Sequence, residues 1–220
     1  MAMKPESTTY ADRTEAGRLL SQKLKQYAGL DDVLVLGLPR GGVPVAAVVA
    51  DAIGAALDVL VVRKLGLPEQ PELAMGAIAA VGGSVTIVRD EFVLDRARVT
   101  EATFDEVFRA ELAELRRREV EYRGERLAPP IRDHRVIVID DGLATGSTMR
   151  AALTLLRQQH PQELVAAVPV GARDSREMLD RLADSVLCLH TPEHFGSVGR
   201  WYEKFPQLTD REVQRFLTGS

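Results

Sequence analysis

Residues 135–149, R-V-I-V-I-D-D-G-L-A-T-G-S-T-M, constrain the fold more than any other stretch of the chain. Four β-branched apolar residues, Val136, Ile137, Val138 and Ile139, stand near its start. A run of this kind has no polar face, so it fits a strand buried on both sides, as in a parallel sheet. Two carboxylates, Asp140 and Asp141, follow it. Then come Gly142, Leu143, Ala144, Thr145, Gly146, Ser147 and Thr148. A helical spacing of apolar residues begins at once with Met149, Ala152, Leu153, Leu155 and Leu156.

Strand, acidic pair, small-residue loop and helix form a layout with chemical meaning. In open α/β sheets, ligands bind beyond the C-terminal ends of the strands. Backbone N–H groups and hydroxyls at a helix start can cradle a phosphate. The loop has no lysine, which removes the phosphate-binding pattern of nucleoside triphosphatases. Carboxylates beside a phosphate would repel it. They could accept hydrogen bonds from the vicinal hydroxyls of a ribose or help to hold Mg2+. The implied ligand has a phosphate at one end and a diol about a sugar's width away. A plainer alternative is that the aspartates end a strand and the hydroxyls cap a helix.

V-I-V-I-D-D-G-L-A-T-G-S-T resembles the 5-phosphoribosyl 1-diphosphate (PRPP) motif of the type I phosphoribosyltransferases. The resemblance implies that residues 144–148 grip the 5-phosphate. It also implies that Asp140 and Asp141 contact the ribose hydroxyls and assist Mg2+, directly or through ribose or water.

A second loop stands in the same context. The apolar run 33–37 leads into L-P-R-G-G-V-P and then into an alanine- and valine-rich helix expected over 45–53. Pro44 suits a first helical position. Gly41 and Gly42 permit backbone shapes or close approaches that side chains would block. By resemblance, Pro39, Arg40, Gly41 and Gly42 form the pyrophosphate loop, a tight turn with an unusual peptide near Arg40, whose guanidinium would pair with diphosphate oxygens. Residues 57–62 read as a third strand ending in Arg63 and Lys64, a basic pair to which the resemblance gives pyrophosphate contact. The proline-bearing segment 65–76 reads as a short cover.

Residues 74–80 and 84–88 suit a hairpin around Gly82 and Gly83. From about 95 to 127 the pattern is helical and highly charged, broken by Pro129 and Pro130. Arg116, Arg117 and Arg118 invite an RNA-binding reading, but neighbouring glutamates favour a solvated helix face. Strands over 164–170 and 186–189, with a helix over 175–183 between them, complete a parallel α/β alternation. At the front, Asp12 or Thr14 can cap a helix ended by Gly29, to which no chemistry is assigned. The tail from 190 is rich in aromatics and histidines. Trp201 or Tyr202 could stack on an acceptor base, or the tail could simply clasp the core.

The expected fold is therefore α/β: a parallel-sheet type I phosphoribosyltransferase fold. It is read as one domain over 1–220, with a helical insertion at about 90–128 and a C-terminal hood or clasp at about 190–220. The pieces D-R-x-E-A-G, L-P-R-G-G-V-P, V-V-R-K-L-G and F-G-S-V-G-R-W-Y extend the resemblance over nearly the whole chain, to a group of bacterial phosphoribosyltransferases of unassigned substrate. The expected activity uses Mg2+ and PRPP to ribosylate a nitrogen acceptor, a nucleobase or an amine, with release of pyrophosphate. In the 6-oxopurine branch an aspartate stands where this chain has Ala144, which argues against hypoxanthine or guanine. The alternative is a regulator that senses PRPP without turnover, and a third reading is an RNA-binding attenuator.

Composition removes several other classes. The net charge of −4 and isoelectric point near 5.7 speak against non-specific nucleic-acid binding. One cysteine, Cys188, lies in an apolar run, so no disulfide framework or cysteine-rich metal site is expected. The absence of a long apolar span points to a cytoplasmic chain with no membrane partner. The insertion could form a small lobe or a homodimer surface.

Overall fold

The computed structural model describes residues 9–81 and 84–218. In chain order the elements are α1 (Arg13–Lys23), β1 (Val33–Gly37), α2 (Gly42–Ile53), β2 (Ala56–Val59), β3 (Val62–Leu67), β4 (Gln70–Val81), β5 (Ser84–Arg89), α3 (Glu91–Ala97), α4 (Glu101–Arg123), β6 (Arg135–Ile139), α5 (Ser147–Arg157), β7 (Glu163–Val170), α6 (Arg173–Leu179), β8 (Ser185–His190) and α7 (Asp210–Thr218). One five-stranded sheet runs β2-β1-β6-β7-β8, all parallel. A second, antiparallel sheet runs β3-β4-β5.

β6 sits at the centre of the parallel sheet. Its apolar residues 136–139 are fully buried and face two different cores. Val136 and Val138 pack with α5, while Ile137 and Ile139 pack with α1 and α2. At about 1.5–3 kcal/mol for each such side chain, this double burial explains why the run has no polar alternation. The predicted α5 stripe of Met149, Ala152, Leu153, Leu155 and Leu156 is likewise buried. It joins Leu60, Ala77 and Ala79, which fastens the antiparallel sheet beside α5.

Several boundaries differ from expectation. The run 57–62 is not one strand. β2 ends at Val59, Leu60 and Val61 turn a buried corner, and Val62 opens β3 in the other sheet. Arg63 and Lys64 therefore lie inside a strand, paired with Ile78 and Ala77, rather than at a strand end. Segment 65–76 is no loose cover: it forms most of the β3–β4 hairpin, which turns at Pro68 and Glu69. The expected β4–β5 pairing is present, while its Gly82-Gly83 turn lies outside the described residues.

The helical region begins at Glu91 and is two helices. Arg98 adopts a left-handed conformation (φ 51°) that ends α3, and Thr100 caps α4 through the Thr103 amide. α4 stops at Gly124, ahead of the two prolines. The helix expected over 175–183 starts earlier and ends at Leu179.

The tail contains a helix that the aromatic pattern concealed. α7 opens with a capping box in which Thr209 and Glu212 bond to each other's amides. It buries Val213 and Leu217 in a core shared with Phe104, Leu115 and Tyr122 of α4. Upstream, the chain pairs with the N-terminal segment: the Tyr10 amide donates to Trp201 O at 2.8 Å, and the Glu203 amide donates to Tyr10 O at 2.8 Å. Cys188 is half-buried against the core rather than fully enclosed, and burial pushes its thiol up. Among the described residues, no helix is long and apolar enough to cross a membrane.

Candidate active site

β1 and β6 are parallel neighbours with Gly37 opposite Ile139, so the loops that follow them emerge side by side. Their contact is tight enough to dictate residue type. A Cβ on Gly41 would stand 1.9 Å from Asp141 Oδ2, and one on Gly42 would stand 2.5 Å from Ile139 O and 2.8 Å from Asp140 Cα. Both glycines are required for this close approach. The Pro39–Arg40 peptide is cis, at the position where an unusual peptide was expected.

Asp141 is buried and held from two directions. Arg13 of α1 places Nε and a terminal nitrogen each 2.9 Å from Asp141 Oδ2. The other donors of Arg13 are occupied as well: one terminal nitrogen donates to Pro206 O at 3.0 Å, and the guanidinium lies 3.9 Å above the Phe205 ring. From the tail, the Tyr202 hydroxyl donates to Asp141 O at 2.5 Å. Asp140 Oδ1 accepts the Asp141 amide at 2.8 Å. Burial raises the Asp140 carboxyl well above its ordinary value, and the neighbouring Asp141 charge adds to the shift. Burial also raises Asp141, with Arg13 opposing. Two carboxylates thus share one guanidinium, leaving a local excess of negative charge suited to a cation or to hydroxyl donors.

Asp140 lines a recess of about 160 Å³ together with residues 142–149 and Val198. Gly146, at φ +70°, precedes α5 and offers no side chain to cap it. Gly146 thus gives α5 no side-chain cap, and the first amide of the helix, that of Ser147, finds only Thr145 Oγ1 at 3.5 Å, which favours an anion at this helix start. Ser175 of α6 braces the loop by donating to Ala144 O at 2.6 Å, and Thr145 Oγ1 donates to Ser147 Oγ at 3.2 Å. The exposed hydroxyls of Thr145 and Thr148 remain at the rim.

A second chamber of about 480 Å³ adjoins this one through Thr148. It is lined by Pro39, Arg63, Lys64 and Glu111 among others. Arg63 is ion-paired with Glu111 of α4 at 2.6 Å. Arg40, expected beside them, is turned away. Its Nε donates to Asp210 Oδ1 at 2.9 Å and a terminal nitrogen donates to Leu208 O at 3.1 Å, so only its neighbour Pro39 reaches the chamber. Tyr202 cannot serve as a stacking platform, because its ring is buried between Tyr10 and Phe205. Trp201 is half-buried, donates Nε1–H to Phe195 O at 2.9 Å and meets His190 edge-on at 4.9 Å.

Arg13 is the site residue that sequence reading missed. Its segment, D-R-x-E-A-G, was one of the family-like pieces, but nothing local links it to Asp141, 128 positions away.

Comparisons with known proteins agree with this geometry. The family described as Phosphoribosyl transferase domain matches residues 11–204, which include Arg13, both loops and Tyr202. A Mycobacterium tuberculosis protein, provisionally named a phosphoribosyl transferase and found in two strains, is 46% identical over 208 residues. That match covers 94% of this chain and 46% of the relative, so the chain spans about half the length of the curated relatives it matches. The crystal structure of TT1426 from Thermus thermophilus is 37% identical with a TM-score of 0.84, covering 96% of this chain and 98% of that one. A structure of the AQ2163 protein from Aquifex aeolicus, at 11% identity and a TM-score of 0.51, covers 88% of this chain and 82% of that one and shares the fold alone. With both glycine loops, the paired aspartates and their supports inside the matched residues, the chain belongs to the phosphoribosyl transferase domain family.

Proposed function

We propose that the chain transfers the 5-phosphoribosyl group of PRPP to a nitrogen acceptor, a nucleobase or a small amine, and releases pyrophosphate. One observation supports this most. Asp140 and the hydroxyl-bearing turn 144–148 share a recess, and that recess adjoins a chamber carrying Arg63 and Lys64. A diol, a phosphate and a diphosphate are the three features of PRPP that such a surface would recognise.

In the reaction, the bond from C1 to the diphosphate oxygen breaks and its electron pair leaves with the diphosphate. A C1–N bond forms, and the acceptor nitrogen gives up a proton. Positive charge builds on the sugar between these events, so the protein's task is mainly electrostatic. Turn 144–148 anchors the 5-phosphate, and Asp140 accepts from the ribose hydroxyls while facing the developing charge. Asp141, fixed by Arg13 and Tyr202, holds the shape of the pair.

Asp140, which lines the recess, would also hold Mg2+, directly or through ribose or water, with the buried Asp141 carboxylate adding negative charge behind it. When bound, Mg2+ supplies neutralisation of the leaving diphosphate. Among the described residues, no group of three or more His, Cys, Asp or Glu could hold a metal. We assign acceptor stacking to Trp201, three residues beyond Val198 of the recess.

The test is pyrophosphate release from Mg2+ and PRPP across a panel of nucleobases and small amines. Release with one acceptor identifies the substrate. Binding of PRPP without release with any acceptor would replace catalysis with PRPP sensing.

A further inference from the structure

Both guanidiniums expected to serve the diphosphate are already bound to carboxylates, and neither carboxylate belongs to the parallel sheet or its loops. Arg63 is held by Glu111 of α4, with Nε and a terminal nitrogen each 2.6 Å from Oε2. Arg40 is held by Asp210, the first residue of α7, at 2.9 Å. Arg63 and Glu111 line the same chamber, so an anion entering there meets the pair directly. Lys64 lines it too, with no carboxylate within ion-pair distance among the described residues.

Asp210 has a second partner. The Tyr122 hydroxyl, at the end of α4, donates to the same Oδ1 at 2.5 Å. If Arg40 swings away, Asp210 therefore keeps one hydrogen bond and α7 keeps its seat. Both ion pairs are partly exposed, the kind that are weak enough to exchange for a more highly charged anion.

We propose that Glu111 and Asp210 are internal stand-ins for the diphosphate. They hold Arg63 and Arg40 in the ligand-free protein, yield them to the diphosphate of PRPP, and reclaim them as pyrophosphate leaves. The inference rests on the phosphoribosyltransferase reading. It gives α4 and α7 a part in the reaction cycle, that of weakening product retention.

The test is calorimetric titration of inorganic pyrophosphate with Mg2+ into the wild-type protein, Glu111→Gln and Asp210→Asn. Each amide removes the competing charge, and the Asp210→Asn variant keeps a side-chain oxygen for Tyr122. Each variant should bind pyrophosphate at least threefold more tightly than wild type, and steady-state inhibition by pyrophosphate should strengthen in step. Equal or weaker binding in the variants would overturn the exchange and leave the enzyme reading intact. No pyrophosphate binding by wild type or either variant would overturn both. The substitutions lie on separate helices, so if thermal melting shows one of them misfolded, the other decides.

Discussion

At the scale of single residues, the site is a set of charges placed where water would not put them. Asp141 tolerates burial because Arg13 faces it, and removing Arg13 leaves a buried carboxylate with no cation. Arg13→Met should therefore cost about 3–5 kcal/mol in denaturant melts, and adding Asp141→Asn should recover part of that loss. Asp140 behaves in the opposite sense. Its carboxyl is raised in the folded protein, so its favourable contribution is fully present below the unfolded value. That contribution is lost as pH rises through the folded value. Asp140→Asn should accordingly stabilise the ligand-free protein at pH values above the folded value, and the gain should fade as pH falls into the ordinary carboxylate range. A gain independent of pH would point to packing instead. Gly41→Ala drives a methyl group into Asp141 and should cost about 1–3 kcal/mol in melts. The residues with chemical signatures, the two aspartates and the loop glycines and hydroxyls, were readable because local order alone implies their setting. Arg13 was not, because its meaning depends on a partner in β6's loop that only the fold supplies.

At the scale of elements, the tail behaves as a clasp whose grip reaches the site. Tyr10 and Tyr202 lie in one small core with Ala16 and Val170, and Tyr202 extends it to the Asp141 carbonyl. Tyr202→Phe keeps the ring packing and removes that hydrogen bond. It should lower stability by about 1 kcal/mol and slow turnover more than it weakens PRPP binding. A loss confined to stability would make the contact purely structural. Elements with one unbroken apolar run, such as β1, β6 and β7, were legible within one or two residues. The corner at Leu60 and Val61 was not, since a chain that turns between two buried strands never shows a polar residue at the bend. α7 was hidden for a different reason. Its capping box and the helical spacing of Val213, Phe216 and Leu217 are a readable signal, but they span only nine residues and follow directly on the aromatic cluster, which suggests a clasp instead.

At the scale of the whole molecule, two sheets divide the labour. The parallel sheet aligns the two glycine loops at the C-terminal ends of β1 and β6. The antiparallel sheet, fastened to α5 through Ala77 and Ala79, carries Arg63 and Lys64 to the side of those loops. The parallel half could be read from apolar runs alternating with helices. The antiparallel half was legible only in part: the β4–β5 pairing follows from the sequence, but β3 does not, because it continues from β2 without a polar break and its turn into β4 reads as a loop. The central claim is that the recess around Asp140 and turn 144–148 is a PRPP site. Calorimetric binding of PRPP with Mg2+, compared between wild type and Asp140→Asn near pH 8, tests it most directly. Wild type should bind, and the variant should bind at least tenfold more weakly, about 1.4 kcal/mol, while remaining folded. Equal affinity in the two proteins would place PRPP elsewhere and contradict the account.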